Sequence, residues 1–152
     1  MHSFAMKHEA PLAVVLGLML CAPPMLAQAT DLPLNSPTKV DGVEAVCTGI
    51  GENEENNPKW AVYPLKIETV GKGAQWLADT DVSVLQGETQ VFAAHCGAPW
   101  LLLKLAPGKY QVSATSAGES ATTKAYSPRH GQGTVILRFP NEGGTVSPFD
   151  LP

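Results

Sequence analysis

Trp100-Leu101-Leu102-Leu103-Lys104-Leu105-Ala106-Pro107-Gly108-Lys109-Tyr110-Gln111-Val112-Ser113-Ala114-Thr115 is the stretch from which the fold can be read. Its first half sets Leu101, Leu103 and Leu105 on one face, at the period of two that a strand requires. Its second half alternates Tyr110, Val112 and Ala114 against Gln111, Ser113 and Thr115. Between the halves, Pro107 pre-sets the φ of a first turn position, and Gly108 can take the positive φ of a type II turn. The expectation is a β-hairpin over 100–115.

Working outward, the same grammar repeats. Short runs rich in Val, Ile, Leu, Thr and aromatics are separated by Gly, Pro, Asn and Asp. Strands are expected over 42–48, 60–70, 76–85, 89–96, 100–105, 109–115, 120–126 and 134–139. Pro64 points to an edge or a late start for the second of these, and the polar run 120–126 reads as a solvent-facing edge. Segment 51–59, with Glu52, Glu54 and Glu55, can form one helical turn; no sustained helical period follows it. Seven or eight strands in roughly 100 residues is the density of an all-β, antiparallel two-sheet sandwich.

The N-terminus carries an export signal. Lys7 precedes an apolar run from Leu12 to Cys21, closed by Pro23 and Pro24 and followed by Ala27-Gln28-Ala29. This is a signal peptide over 1–29, cut after Ala29. The run is too short to span a bilayer, so no membrane span is expected after cleavage. Leu20 stands before Cys21 where a lipid-attached cysteine wants a small residue. Residues 30–41, with Pro33 and Pro37, read as a linker. The sandwich then occupies 42–140, and 141–152 form a Gly- and Pro-containing tail. Cleavage removes one lysine and one glutamate from ten basic and fourteen acidic residues, so the exported chain keeps a net charge of −4. It lacks the basic face that nucleic acid demands.

Two cysteines survive cleavage, Cys47 and Cys96. In an oxidising compartment a pair in a small domain is expected to bridge. Closing a loop of that length stabilises a fold by up to about 4 kcal/mol in the chain-entropy picture. The competing reading is a metal site of Cys47, Cys96 and His95, which lacks closely spaced cysteines.

At the 100–115 stretch the sequence resembles the carboxypeptidase regulatory-like domains, in which an apolar strand, a Pro-Gly turn and a Tyr-x-Val-x-Ala strand recur. It is more closely similar to small exported bacterial proteins made of that domain alone. Further shared features are Thr48-Gly49-Ile50-Gly51-Glu52, Trp76-Leu77-Ala78-Asp79-Thr80-Asp81-Val82 and Leu137-Arg138-Phe139-Pro140. The resemblance covers about residues 43–140. It implies a transthyretin-like (prealbumin-like) sandwich in the periplasm, or secreted, and brings no assigned activity. The chain departs from the pattern at Gly97-Ala98-Pro99, which replaces a direct Gly-Pro, and in an acidic stretch without an arginine.

Chemistry-bearing residues are sparse. His95 and His130 stand without a Gly-x-Ser-x-Gly nucleophile or a second histidine at metal-ligand spacing, and both are read as solvated. The transthyretin-like hydrolase of a purine breakdown product is excluded, since it uses several histidines and a Tyr-Arg-Gly-Ser tail absent here. The acidic run from Glu52 to Glu55 offers oxygen ligands without the spacing of a calcium loop. Trp60, Trp76 and Trp100 each head an expected strand; they either plug the ends of the core or form a ligand platform at its rim. No cofactor is expected. The reading is a non-catalytic module that binds a periplasmic protein or an envelope polysaccharide. The alternatives are a carbohydrate-binding module using coplanar, exposed tryptophans, and a small hydrolase in which a histidine meets a carboxylate in a cleft.

Overall fold

A computed structural model of the protein describes residues 29–141. Residues 1–28 of the expected leader (1–29) and residues 142–152 of the expected tail (141–152) lie outside these residues. The described chain is an all-β sandwich. Ten strands occur in it: β1 (Thr30–Asp31), β2 (Thr38–Val40), β3 (Val43–Thr48), β4 (Leu65–Val70), β5 (Thr80–Gln86), β6 (Thr89–Cys96), β7 (Trp100–Leu103), β8 (Gly108–Ser116), β9 (Glu119–Ser127) and β10 (Gly133–Arg138). A one-turn helix α1 (Glu52–Glu55) and a 3-10 helix (Pro58–Val62) bridge β3 and β4. The first sheet has the order β1-β6-β5-β8-β9, the second β10-β4-β7-β3-β2.

All eight expected strands are present, the fifth cut back to Trp100–Leu103 and the second starting after Pro64. Three expectations need correction. The strand count rises to ten among the described residues, because the supposed linker 30–41 carries β1 and β2. The sheets are mixed rather than antiparallel, since β1 runs parallel to β6 and β10 parallel to β4. The 100–115 stretch is not a hairpin: β7 lies between β3 and β4, while β8 lies between β5 and β9 in the opposite sheet.

The reason for the third correction lies in burial. All four residues of β7 are buried, Leu101 and Leu103 among them in the core between the sheets. A strand apolar on both sides belongs at the centre of a covered sheet. β8 alternates, so it suits a sheet with one wet face. The chain therefore crosses from one sheet to the other at Lys104–Pro107. Gly108 takes φ 151° rather than the value near +80° of a type II turn. The Tyr110 hydroxyl donates to the Ala106 carbonyl at 2.6 Å and the Ser127 hydroxyl to the Leu105 carbonyl at 3.0 Å, fixing the crossing.

Hairpins do form elsewhere, on two-residue loops. Asp41 and Gly42 (φ 51° and 82°) join β2 to β3, and Ala117 and Gly118 (φ 45° and 82°) join β8 to β9. Both pairs have the positive φ values of a type I′ turn.

The core packs Cys47, Leu65, Ile67, Leu101 and Leu103 of the second sheet against Val84, Phe92, Ala94 and Val112 of the first. Each large side chain fully buried there contributes roughly 1.5–3 kcal/mol by leaving water. The Cys47–Cys96 disulfide forms as expected, linking β3 to β6 across the two sheets with Cα atoms 5.5 Å apart. The segment from β1 to β2 closes the sandwich along this edge. Leu32 donates to the His95 carbonyl (3.0 Å), Asn35 to the Cys47 carbonyl (2.8 Å), and Leu32 itself is buried.

Candidate binding site

The three tryptophans gather on the outer face of the second sheet. Trp60, in the 3-10 helix, is buried and donates its indole N–H to the Glu54 carboxylate at 3.1 Å. With Tyr63 it covers Val46 and Leu102 in a second apolar cluster. The Gln132 amide holds this cover down by donating to the Trp60 and Tyr63 carbonyls, each at 2.9 Å. Trp100 is buried under Gly49, whose backbone approaches so closely that a Cβ there would lie 2.6 Å from the ring. The Lys66 ammonium sits over the same ring, 3.3 Å from its centroid, and also pairs with Glu68 at 2.8 Å. Trp76 alone is half-exposed, and it meets Trp100 edge-on at 72° with centroids 5.3 Å apart. The coplanar platform is therefore corrected: two of the three rings are consumed in packing. The core-plug alternative is corrected too, because these rings cover a sheet from outside instead of sealing the ends of its core.

Glu54 is occupied by Trp60, and no cluster of three or more His, Cys, Asp or Glu suited to a metal occurs among the described residues. Cys47 and Cys96 are bonded to each other, which closes the metal alternative built on them. His130 is exposed in the loop between β9 and β10. His95 is not the solvated residue expected. Its Nδ1 lies 2.9 Å from the Asp81 carboxylate and its Nε2 3.6 Å from that of Asp79. The Asp81 hydrogen bond, with the charges of Asp81, Asp31 and Asp79, raises its pKa above the ordinary value against a smaller opposing effect of burial. With a carboxylate facing each nitrogen, the ring is arranged as an ion-pair centre.

The outer face of the first sheet has a different character. Strand register lines up its outward residues in rows. Asp81 sits beside His95 and Thr115, Ser83 beside Ser113, and Gln111 beside Lys124, while Lys109 sits beside Tyr126. Hydroxyl pairs link β8 to β9, Ser113 to Thr122 in the middle at 2.9 Å and Thr115 to Ser120 nearer His95 at 3.1 Å. The carboxylates cluster at one end, around His95. The opposite end, six residues along β8 and so about 20 Å away, holds Lys109 and Lys124. There a groove of about 630 Å³ opens, lined by Lys109, Gln111, Lys124, Tyr126 and the β5–β6 turn residue Gly87. Tyr126 is 57% exposed, and neither lysine makes an ion pair among the described residues.

Sequence reasoning placed 120–126 on a wet edge and passed over this site. The signal was present: Tyr126, Lys124, Thr122 and Ser120 alternate outward, as do Lys109 and Gln111. What was missing was the register that sets the two series side by side.

No protein-family model matches the chain, and no curated protein matches it. Among the described residues no helix is long and apolar enough to cross a membrane.

Proposed function

We propose that the protein is an exported, non-catalytic β-sandwich module of the periplasm or cell exterior that binds an envelope polymer. The observation that carries this reading is the bare, polar outer face of the first sheet, with the Tyr126 groove at its lysine end. An exposed aromatic ring and charged groups carried on a rigid sheet are what a binding surface needs, since little backbone ordering is lost on association. The Cys47–Cys96 disulfide supports an oxidising compartment. Kinship with the carboxypeptidase regulatory-like domains belongs to the same proposal and rests on the motifs of residues 43–140.

The test is co-sedimentation of the exported protein with the insoluble polymer fraction of its own envelope, with crosslinking in the living cell alongside. The expected result is retention on the polymer, lost in Tyr126→Ala. One dominant protein captured by crosslinking, without polymer retention, would overturn the polymer reading in favour of a protein-binding module.

A further inference from the structure

Resting on that reading, we infer that the groove at the lysine end of the first sheet takes an acidic polysaccharide, a chain of sugar rings carrying carboxylates. The register fixes four side chains in a block. Lys109 stands beside Tyr126 on adjacent strands, and Gln111 stands beside Lys124. The two ammonium groups thus occupy diagonal corners, whose Cα atoms lie about 7–8 Å apart in such a pair. Between them lie an amide and an exposed phenol.

Each member has a distinct task. The tyrosine ring offers an apolar face with a hydroxyl at its rim, the combination that packs on the C–H side of a sugar and also bonds its hydroxyls. Gln111 supplies two donors and an acceptor for ring hydroxyls. The lysines supply compact, rotatable positive charge for carboxylates. That charge is uncommitted, unlike that of Lys66 and Lys104, which are held by Glu68 and Glu44 at 2.8 and 2.9 Å.

The surroundings narrow the ligand. Two lysines in a chain of net charge −4 give too small a counterion-release term for a nucleic acid. The groove is open and adjoins the hydroxyl row Ser113–Thr122. Its mixed lining, with Tyr110 and Ala125 beside the polar groups, suits a chain of hydroxylated rings that have both apolar and polar faces. At the far end of the face, Asp31, Asp79 and Asp81 around His95 repel a polyanion. The footprint is thereby confined to the lysine end, a few sugar units long.

The experiment uses the protein expressed from its complete chain, titrated calorimetrically with three polymers: a polyuronate, its carboxyl-reduced neutral counterpart, and polyglutamate. Binding to the polyuronate is expected, with the neutral polymer and polyglutamate each at least about tenfold weaker. Lys109→Gln and Lys124→Gln should each weaken polyuronate binding and flatten its salt dependence, whereas Lys72→Gln, the same charge change in an exposed loop outside the groove, should leave it unchanged. Tyr126→Ala should abolish binding while the circular dichroism spectrum is retained. Equal binding of the neutral polymer would overturn the acidic-ligand inference and leave the polymer-binding reading standing. Preference for polyglutamate would overturn both in favour of an acidic peptide ligand. Binding to none of the three overturns this inference; retention on the native envelope would then decide the broader reading independently.

Discussion

The two outer faces of the sandwich are built on opposite principles. The second sheet is roofed: α1, the 3-10 helix, Tyr63 and the tryptophans lie over Val46, Leu102 and the Lys66–Glu68 pair. Among the described residues the first sheet has no roof, and its outward residues are mostly polar or charged, with Ser, Thr, Gln, Lys, Asp and His95 beside Leu85, Ala93 and the exposed Tyr126. The difference follows from the strands. β7 is apolar on both sides, so its sheet must be covered on both. β8 and β9 alternate, so one side of theirs can meet water without cost. Aromatic residues on a roofed face are spoken for by packing, and a lone aromatic on a bare face is not. For this reason the candidate site sits at Tyr126 and not at the three tryptophans.

Four outcomes would sharpen or break that contrast. Trp60→Ala removes the central piece of the roof and leaves Leu102 under a cavity. A loss of about 3–5 kcal/mol is expected in urea unfolding, and a loss below about 1 kcal/mol would show that the roof is ornament. Gly49→Ala comes next. The added Cβ would collide with Trp100, on a backbone at φ 96° that a side chain rarely adopts. Overpacking and strain together should cost roughly 2–3 kcal/mol by the same measurement.

The third concerns the acidic end of the bare face. Because His95 has its pKa raised in the folded state, protonation favours folding. Its contribution is fully present below the ordinary histidine value and is lost as pH rises through the raised folded value. Unfolding midpoints measured between pH 5 and pH 8 should fall across that window in the wild type, and His95→Gln should remove this component of the slope. An identical slope in the variant would mean that the ion pairs with Asp79 and Asp81 are fully screened. The smallest effect belongs to the middle of the bare face. Thr122→Val exchanges one exposed hydroxyl for a methyl group and should change stability by no more than about 0.5 kcal/mol. A larger loss would indicate that the Ser113–Thr122 row is structural.

Much of this architecture was legible beforehand, because it depends on near neighbours. Alternation marked eight strands, and segment 89–96 agrees with β6 residue for residue. Cys47 and Cys96, the two cysteines downstream of the expected leader, are bonded to each other. Where reading failed, the determinant lay elsewhere in the fold. Pro107-Gly108 announces a change of direction, but local chemistry is the same whether the chain folds back within a sheet or crosses between two. The unbroken run Leu101-Leu102-Leu103 was the better clue, since strict alternation would have placed a polar residue at 102. The supposed linker carried its own signal as well: Asp41-Gly42 between Val40 and Val43 is a strong short-range hairpin pattern, hidden by the prolines upstream.

The sequence by itself determined the all-β class, the approximate strand bounds and the bonded cysteines, since each follows from periodicity, turn chemistry or counting. Only the tertiary structure decided which sheet each strand joins, that His95 meets Asp81 fourteen residues away, and that Lys109, Gln111, Lys124 and Tyr126 form one groove. Those are matters of register and layer, and register is settled by which apolar faces can be buried together across the whole chain.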